Sequence, residues 1–209
     1  MNIVFDLDGT LIDSSERMYR LFQTIVPESQ LTKEAYWALK RDKVSHKQLL
    51  ERLFPQYDFD SFNSLWLNEI EKNKYLRMDK TFPDTRSVLD KLSKNNQIIL
   101  LTARQSKEGL LEELDRLELK QYFSVLLVTA ATKPKEELLK QAEQDCIQRN
   151  ADDLFISDMG KDIIIGKSLN YKTVAITHGF MSKEKLEDYS PDYMINNLSE
   201  LMDICGSQM

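Results

Sequence analysis

Short apolar runs recur along the chain, and they constrain its fold more than any other feature of the sequence. They lack the alternation of apolar and polar residues that marks a strand with one face in water, so they predict strands buried on both faces. The runs lie at Ile3–Phe5, Ile98–Leu101, Val125–Val128, Leu154–Ile156 and Thr173–Ile176, with a weaker one at Tyr193–Ile195.

Helical patterns separate these runs from about residue 83 to the end of the chain. One apolar stripe with helical spacing consists of Leu110, Leu111, Leu114 and Leu117. Another follows Pro134, a residue suited to the first turn of a helix. Strands that alternate with helices in this way predict an α/β fold with a parallel sheet and right-handed crossovers.

The segment from about Ser14 to Phe82 follows a different pattern. It has helical stripes, broken near Pro27 and Pro55, and no convincing strand run. We therefore predict an α/β class fold with a Rossmann-like core of residues 1–13 and 83–209. Residues 14–82 are predicted to form an all-helical domain inserted near the start of that core.

Composition excludes some classes of partner. The chain has 209 residues, a net charge of -6 and a pI near 5.1. Nucleic acids and anionic membranes require a basic face, so neither is expected as a partner. We see no signal peptide and no apolar stretch of membrane-spanning length. Cys146 and Cys205 lie outside any CxxC or zinc spacing, which favours reduced thiols and a cytoplasmic protein. The oligomeric state stays open.

Polar residues follow four of the predicted strands. Ligands of open parallel sheets collect at the carboxyl ends of the strands, so these residues are candidates for one site. In chain order they are Asp6 and Asp8, then Thr102, then Lys133, then Asp158 and Asp162.

These residue types restrict the chemistry. Asp6, Asp8 and Asp158 would repel one another if they converged, and a divalent cation would relieve that repulsion. Oxygen ligands without His or Cys favour Mg²⁺. Thr102 could donate a hydroxyl proton and Lys133 could supply positive charge to a phosphoryl group. Two carboxylates at i and i+2 on one side of a strand could divide covalent attack and proton transfer between them.

A calcium loop and ordinary structural roles account for the same residues less well. A calcium loop that starts at Asp6 would need glycine at Leu11 and glutamate at Arg17, and the chain has neither. The remaining residues could each be a helix cap, a solvated lysine or an acid at a helix N-terminus. Such roles would have to coincide on alternating strands, so a functional site is favoured.

The motifs resemble those of the haloacid dehalogenase (HAD) superfamily. Asp6-Leu7-Asp8-Gly9-Thr10 is similar to its DxDGT motif, Thr102 to the Thr or Ser of its second motif, and Lys133-Pro134 to the Lys-Pro of its third. The stretch from Ser157 to Asp162 resembles GDxxxD, with Ser157 in place of glycine. Phe82-Pro83-Asp84 resembles the return to the core after the C1 cap, with Asp84 in place of glycine.

The resemblance implies Mg²⁺ and an aspartyl-phosphate intermediate. Asp6 would be the nucleophile and Asp8 the general acid/base. Mg²⁺ would be held by Asp6, by the backbone carbonyl of Asp8 and by Asp158, with Asp162 in support. Thr102 and Lys133 would bind the phosphoryl group. The presence of Asp8 argues against a dehalogenase, because a halide leaving group needs no proton.

Substrate choice is expected to lie in the inserted helices. A basic stretch at residues 40–47 offers Arg41, Lys43 and His46 as ligands of an anionic substrate. Arg104 is a further candidate near the site. A solvated helix face is the alternative for the basic stretch.

The function predicted from the sequence is Mg²⁺-dependent hydrolysis of a phosphomonoester that is a small soluble metabolite. A sugar phosphomutase of the same fold is the nearest alternative, because it would keep both acids. A binding or regulatory module that retains the fold without turnover is a third possibility. The intact acids argue against it.

Overall fold

The structure is a computed structural model that describes residues 1–206. Its strands are β1 (Asn2–Phe5), β2 (Ile12–Asp13), β3 (Lys80–Thr81), β4 (Gln97–Thr102), β5 (Val125–Val128), β6 (Leu154–Ser157), β7 (Lys172–Ile176) and β8 (Tyr193–Ile195). Its helices are α1 (Ser15–Ile25), α2 (Lys33–Arg41), α3 (His46–Leu53), α4 (Phe59–Glu69), α5 (Asn73–Leu76), α6 (Thr85–Leu92), α7 (Lys107–Arg116), α8 (Lys135–Asp145), α9 (Gly160–Ser168), α10 (Lys183–Glu187) and α11 (Leu201–Gly206).

Six of the strands within residues 1–206 form one parallel sheet in the order β5-β4-β1-β6-β7-β8. The first strand of the chain is therefore central: Val4 pairs with Ile99 on β4 and with Phe155 on β6. Every predicted apolar run lies in one of these strands. The predicted α/β fold is confirmed, and the central place of β1 brings whatever follows Phe5 to the middle of the carboxyl edge.

The two faces of the sheet are covered by different helices. Ile3 and Phe5 pack in a hydrophobic cluster that includes residues of α6 and α7. Val4 points to the opposite cluster, which includes Leu139 of α8. This alternation follows from the two-residue period of a strand. Burial on both faces explains why these strands have continuous apolar sequences.

Helices α1 to α5 lie between β2 and β3, a short antiparallel pair in which Ile12 faces Thr81. Their apolar residues form a hydrophobic cluster of their own around Phe22 and Tyr36. These helices occupy the predicted cap segment, and we retain the two-domain division at residues 13/14 and 82/83 as a proposal. The sequence pattern missed β2 and β3 because two residues are too few to show a period.

None of the helices in the described part of the chain is long and apolar enough to cross a membrane.

Replacement of Phe155 by alanine tests the sheet core. Phe155 is fully buried, and its removal leaves a cavity between β6 and its neighbours. We expect Phe155→Ala to lower the free energy of unfolding by about 3–5 kcal/mol. Ile164→Ala is the control, since Ile164 on α9 is 54% exposed, and it should change stability by less than about 0.5 kcal/mol. Urea unfolding followed by circular dichroism measures both, and equal effects would contradict the packing described.

Candidate active site

Asp6 lies directly after β1, at the centre of the carboxyl edge of the sheet, and is 5% exposed. Its Oδ1 accepts a hydrogen bond from Nζ of Lys135 at 2.7 Å. Burial raises the pKa of Asp6 to about 6, although the ammonium of Lys135 opposes this shift. A carboxylate that is buried against a single cation can act as a nucleophile once a second positive charge approaches.

Asp158 and Asp162 follow β6, the strand beside β1. Asp158 is fully buried, and its pKa is raised well above the ordinary value, first by burial and then by the charge of Asp6. It accepts hydrogen bonds from the Thr10 hydroxyl at 3.1 Å and from the backbone N–H of Phe180 at 2.6 Å. The charge of Asp6 therefore adds to the cost of ionising Asp158.

Glycines allow the backbone to approach Asp158 closely. Gly9 has a φ of +81°, and a Cβ there would lie 2.1 Å from Oδ2 of Asp158. A Cβ on Gly179 would lie 2.2 Å from the same oxygen. Gly9 thus meets two demands at once, a left-handed turn after Asp8 and room for the neighbouring acid.

Lys135, at the first residue of α8, is the lysine that contacts the acids. In addition to Asp6, it donates to Oδ2 of Asp162 at 2.6 Å, and its side chain is only 11% exposed. Burial lowers the pKa of Lys135, but Asp6 and Asp162 outweigh burial and raise it above its ordinary value. Its ammonium is therefore a permanent positive charge beside Asp6 and Asp162.

Lys133, the lysine predicted to bind the phosphoryl group, pairs with Glu137 and not with the acids at the sheet edge. It lines the same cavity, but its side chain is 49% exposed and its Nζ is 3.5 Å from Oε1 of Glu137. The two lysines flank Pro134, which is the N-terminal cap residue of α8. The helix carries Lys135 toward the acids and leaves Lys133 in the preceding loop, so we transfer the proposed phosphate-binding role to Lys135.

Thr102 ends β4 and is 1% exposed, and it lines the cavity with Asp6 and Asp8. Thr102 therefore lies at the carboxyl edge near Asp6 and Asp8, where its place after the second apolar run predicts it. Ser157, which replaces the glycine of the resembled motif, donates to Oδ2 of Asp162 at 2.9 Å. The serine hydroxyl thus orients the acid that also binds Lys135.

Asp8 is bound by two arginines. Arg104 donates from Nε to Oδ2 at 2.7 Å and from Nη2 to Oδ1 at 2.9 Å. Nη2 of Arg17 also donates to Oδ1. Burial alone would raise the pKa of Asp8, but the two guanidinium groups outweigh it and lower that pKa below its ordinary value. Arg104, predicted as a substrate ligand, is instead engaged with the protein's own acids.

The three candidates from the inserted helices also have partners within the protein. Arg41 donates to the carbonyl oxygens of Thr177 at 2.8 Å and Gly179 at 2.5 Å. Lys43 donates to the hydroxyl of Tyr189 at 2.9 Å, although it also lines the cavity.

His46 lines the cavity too, but it belongs to the aromatic cluster of the inserted helices. Its Nε2 lies 2.8 Å from the Tyr36 hydroxyl, and its ring centroid is 4.2 Å from that of Trp66. Burial, and then the charge of Lys40, hold its pKa well below the ordinary value. A neutral imidazole with an aromatic partner does not offer the positive charge expected of it.

A cavity of about 1010 Å³ joins the acids to the inserted helices. Its polar lining includes Lys40, the first residue of the basic stretch, which donates to the backbone carbonyl of Val44 at 3.1 Å. Burial lowers the pKa of Lys40 to about 8. Apolar walls come from residues of both parts of the chain, Met18, Val44, Trp66, Ile165, Phe180 and Met181.

Buried acids and a lysine gathered at the carboxyl edge of a parallel sheet, under a cavity of this size, define an enzyme of the α/β class. The family model described as "Haloacid dehalogenase-like hydrolase" matches residues 3–176. The chain therefore belongs to the haloacid dehalogenase-like hydrolases, and the resemblance noted in the sequence is confirmed.

Individual relatives agree with this assignment. The chain is 24% identical over 217 residues to pyrophosphatase PpaX of Halalkalibacterium halodurans, a match that covers 98% of this chain and 96% of the relative. A haloacid dehalogenase-like hydrolase from Streptococcus pneumoniae superposes with a TM-score of 0.79 at 23% identity, covering 97% of this chain and 96% of the other. A putative phosphatase from Clostridium difficile gives a TM-score of 0.80 at 19% identity and 97% coverage of both chains.

Asp79, just before β3, gives this site a testable pH dependence. It is fully buried, and burial raises its pKa to about 9 in spite of the nearby Arg17. The folded protein thus binds one more proton than the unfolded chain between pH 4 and 9, and stability falls as pH rises through this window.

We expect Asp79→Asn to remove this dependence, because the neutral amide keeps the shape of the protonated acid. Relative to the variant, the wild type should lose up to about 1.4 kcal/mol of unfolding free energy per pH unit between pH 6 and 9. Urea unfolding at each pH measures the difference. Parallel curves for the two proteins would show that Asp79 is ionised at neutral pH.

Proposed function

We propose that the protein is a Mg²⁺-dependent phosphomonoester hydrolase that acts on a small soluble phosphorylated metabolite. The observation that carries this proposal is the position of Asp6. It is a buried acid at the end of the central strand, with Lys135 on one oxygen at 2.7 Å and the charge of Asp158 opposed to it. The names of its relatives, pyrophosphatase and phosphatase, support phosphoester chemistry.

The oxygen donors at this edge of the sheet are of the type that Mg²⁺ prefers. The proposed ligands are the side chains of Asp6 and Asp158 and the backbone carbonyl of Asp8. Within residues 1–206, no three side chains of the Asp, Glu, His or Cys type are placed to hold a metal. The proposed set needs only two side chains, since Mg²⁺ keeps several waters and takes oxygens of the substrate. When bound, Mg²⁺ would neutralise the acids and the phosphoryl oxygens.

Asp6 would act as the nucleophile. Its carboxylate oxygen forms a bond to phosphorus as the ester P–O bond breaks, which gives an aspartyl phosphate and frees the alcohol oxygen. Lys135 and Thr102 would hold the phosphoryl oxygens during this transfer. Lys135 would also keep Asp6 ionised and oriented, and Asp162 would fix the ammonium of that lysine.

Asp8 would move the protons. The ionised form of Asp8, which Arg17 and Arg104 stabilise, would accept a proton from the attacking water in the second step. Donation of a proton to the leaving alcohol oxygen in the first step would require Asp8 to be protonated and released from these arginines. The second step breaks the bond between Asp6 and phosphorus and releases inorganic phosphate. Asp8 lines the cavity and keeps 23% of its side chain exposed, which leaves it accessible to a leaving group.

The cavity suits an anionic metabolite with an organic part. Lys40, Lys43 and Lys161 line it and would attract negative charge. The apolar walls would contact the remainder of the substrate, and about 1010 Å³ is ample for a molecule of metabolite size.

The two cysteines are free, which supports a cytoplasmic location as a further part of the proposal.

Phosphate release from p-nitrophenyl phosphate tests the reaction. We expect activity with Mg²⁺, loss of activity after chelation by EDTA, and recovery when Mg²⁺ is restored. Asp6→Asn should lower kcat by about 10³-fold or more, because the amide cannot form the covalent intermediate. Full activity of Asp6→Asn would overturn the nucleophile assignment.

A panel of phosphorylated metabolites, with inorganic pyrophosphate included, would then identify the substrate by free-phosphate detection. Conversion of a hexose 1-phosphate into the 6-phosphate with little phosphate release would support the phosphomutase alternative. Absence of turnover across the panel and with p-nitrophenyl phosphate would support the non-catalytic module.

The two lysines beside Pro134 form a matched pair. We expect Lys135→Met to lower kcat by about 10²–10³-fold, since the variant loses the charge at the nucleophile and the phosphoryl group. Lys133→Met should stay within about threefold of wild type in kcat, because this lysine contacts none of the acids of the site. Steady-state kinetics with p-nitrophenyl phosphate, with thermal unfolding as the check on folding, separates them. A larger kcat loss in Lys133→Met would return the phosphate-binding role to Lys133.

A further inference from the structure

Two aromatic rings, those of Phe180 and Tyr189, line the cavity beside the acids, and each packs against the backbone of a glycine. A Cβ on Gly9 would lie 2.5 Å from Cδ2 of Phe180. A Cβ on Gly160 would lie 2.1 Å from Cε2 of Tyr189. Gly9 directly follows Asp8, and Gly160 lies between the two acids that follow β6. The rings therefore occupy space beside the acids that a larger residue at either glycine would take.

Other contacts hold both rings in place. The ring of Phe180 packs on that of Trp37, with centroids 5.0 Å apart. The hydroxyl of Tyr189 accepts a hydrogen bond from Nζ of Lys43 at 2.9 Å, and this ammonium lies 4.9 Å from the ring centroid. Both aromatic residues of the lining are only partly buried. They thus present fixed apolar surfaces to whatever fills the cavity.

The side chains that line the cavity offer few hydrogen-bond acceptors beyond the acids of the site. Among the described residues of this lining, none is Asn, Gln or Glu. The hydroxyl of Ser45 is engaged with Gln48, and that of Thr132 donates to the carbonyl of Thr129. The lysines of the lining can only donate. A substrate with many hydroxyl groups would therefore lose water there without finding acceptors in return, which weakens binding with each group.

We propose that the substrate is a phosphomonoester of an aromatic alcohol, with its ring against Phe180 and Tyr189. This inference rests on the proposed function and narrows the substrate to one chemical class. The phosphoryl group would meet Asp6 and Lys135, and the ring would fill the apolar part of the cavity. An aromatic ring needs no hydrogen-bond partner, and offset or edge-to-face contact with another ring stabilises it beyond the effect of burial alone.

Two other substrate classes fit this lining less well. A hexose phosphate would bring several hydroxyl groups to a wall that has few acceptors for them. Inorganic pyrophosphate has no organic part, so the aromatic rings and the other apolar walls would contact only water. An aromatic ester matches both the apolar walls and the shortage of acceptors.

Three phosphate esters of primary alcohols test this inference in the full chain with Mg²⁺. Benzyl phosphate, cyclohexylmethyl phosphate and glucose 6-phosphate each carry one six-membered ring, and their leaving oxygens are of the same type. We expect kcat/KM for benzyl phosphate to exceed that for cyclohexylmethyl phosphate by about 3–10-fold. It should exceed that for glucose 6-phosphate by at least about 10²-fold, because several hydroxyl groups lose their partners. Free-phosphate detection measures all three rates.

Replacement of either ring by leucine keeps an apolar side chain and removes the aromatic contact. We expect Phe180→Leu and Tyr189→Leu each to lower kcat/KM for benzyl phosphate by about 3–10-fold, mainly through KM. The value for cyclohexylmethyl phosphate should change by less than about twofold, because a leucine still offers it an apolar surface. Thermal unfolding checks the fold of both variants, and either variant suffices if the other does not fold.

Phe123→Leu is the matched control. Phe123 is likewise partly buried, but it lies before β5, at the opposite edge of the sheet and outside the cavity. This variant should match wild type on both apolar esters.

Turnover of glucose 6-phosphate that equals or exceeds that of benzyl phosphate would overturn this inference and leave the proposed function intact. Equal losses on the two apolar esters in the leucine variants would do the same, because they would show that the rings only support the fold. Failure of the wild type to release phosphate from every ester, p-nitrophenyl phosphate included, would instead overturn the proposed function and this inference with it.

Discussion

Repulsion among carboxylates is the constraint on which the rest of this site depends. The central strand and its neighbour end in acids that face each other at one edge of the sheet, and burial makes their charges costly. The buried ammonium of Lys135 offsets part of this cost, because it contacts Asp6 and Asp162 but not Asp158. This uneven compensation gives different surroundings to acids that look equivalent in the sequence, since Asp158 accepts hydrogen bonds from Thr10 and Phe180 instead.

The sheet is predictable because each buried strand is a continuous apolar run. The polar residues that follow these runs place Asp6, Asp8, Thr102 and Asp158 at the carboxyl edge of the sheet. The same pattern predicted Lys133, whereas the lysine that contacts Asp6 and Asp162 is Lys135, two residues further along the chain. The loop before α8 has no period from which the direction of a side chain can be inferred, and Pro134 marks the helix start only within a residue or two. A tertiary contact between residues 6 and 135 leaves no local signal.

The arginines show a second limit of sequence reasoning. A basic residue near a predicted anion site suggests a substrate ligand, as for Arg104, Arg41 and Lys43. In the structure Arg104 and Arg41 bind internal carboxylate or carbonyl oxygens, and Lys43 binds a tyrosine hydroxyl. A buried charge must find a partner, and the partner here is distant in the chain. Arg17 stands out in the sequence only as the residue that spoils a calcium loop.

The loop after β7 contacts both the inserted helices and an acid at the sheet edge. Arg41 of α2 holds the carbonyls of Thr177 and Gly179, and the next N–H, that of Phe180, donates to Asp158. Trp37 also packs on Phe180, with ring centroids 5.0 Å apart. The helical segment is therefore not an interchangeable module. A chimera that received the corresponding helices of a relative would also have to receive that relative's counterpart of residues 177–182. Otherwise the graft would disturb the contacts of Asp158.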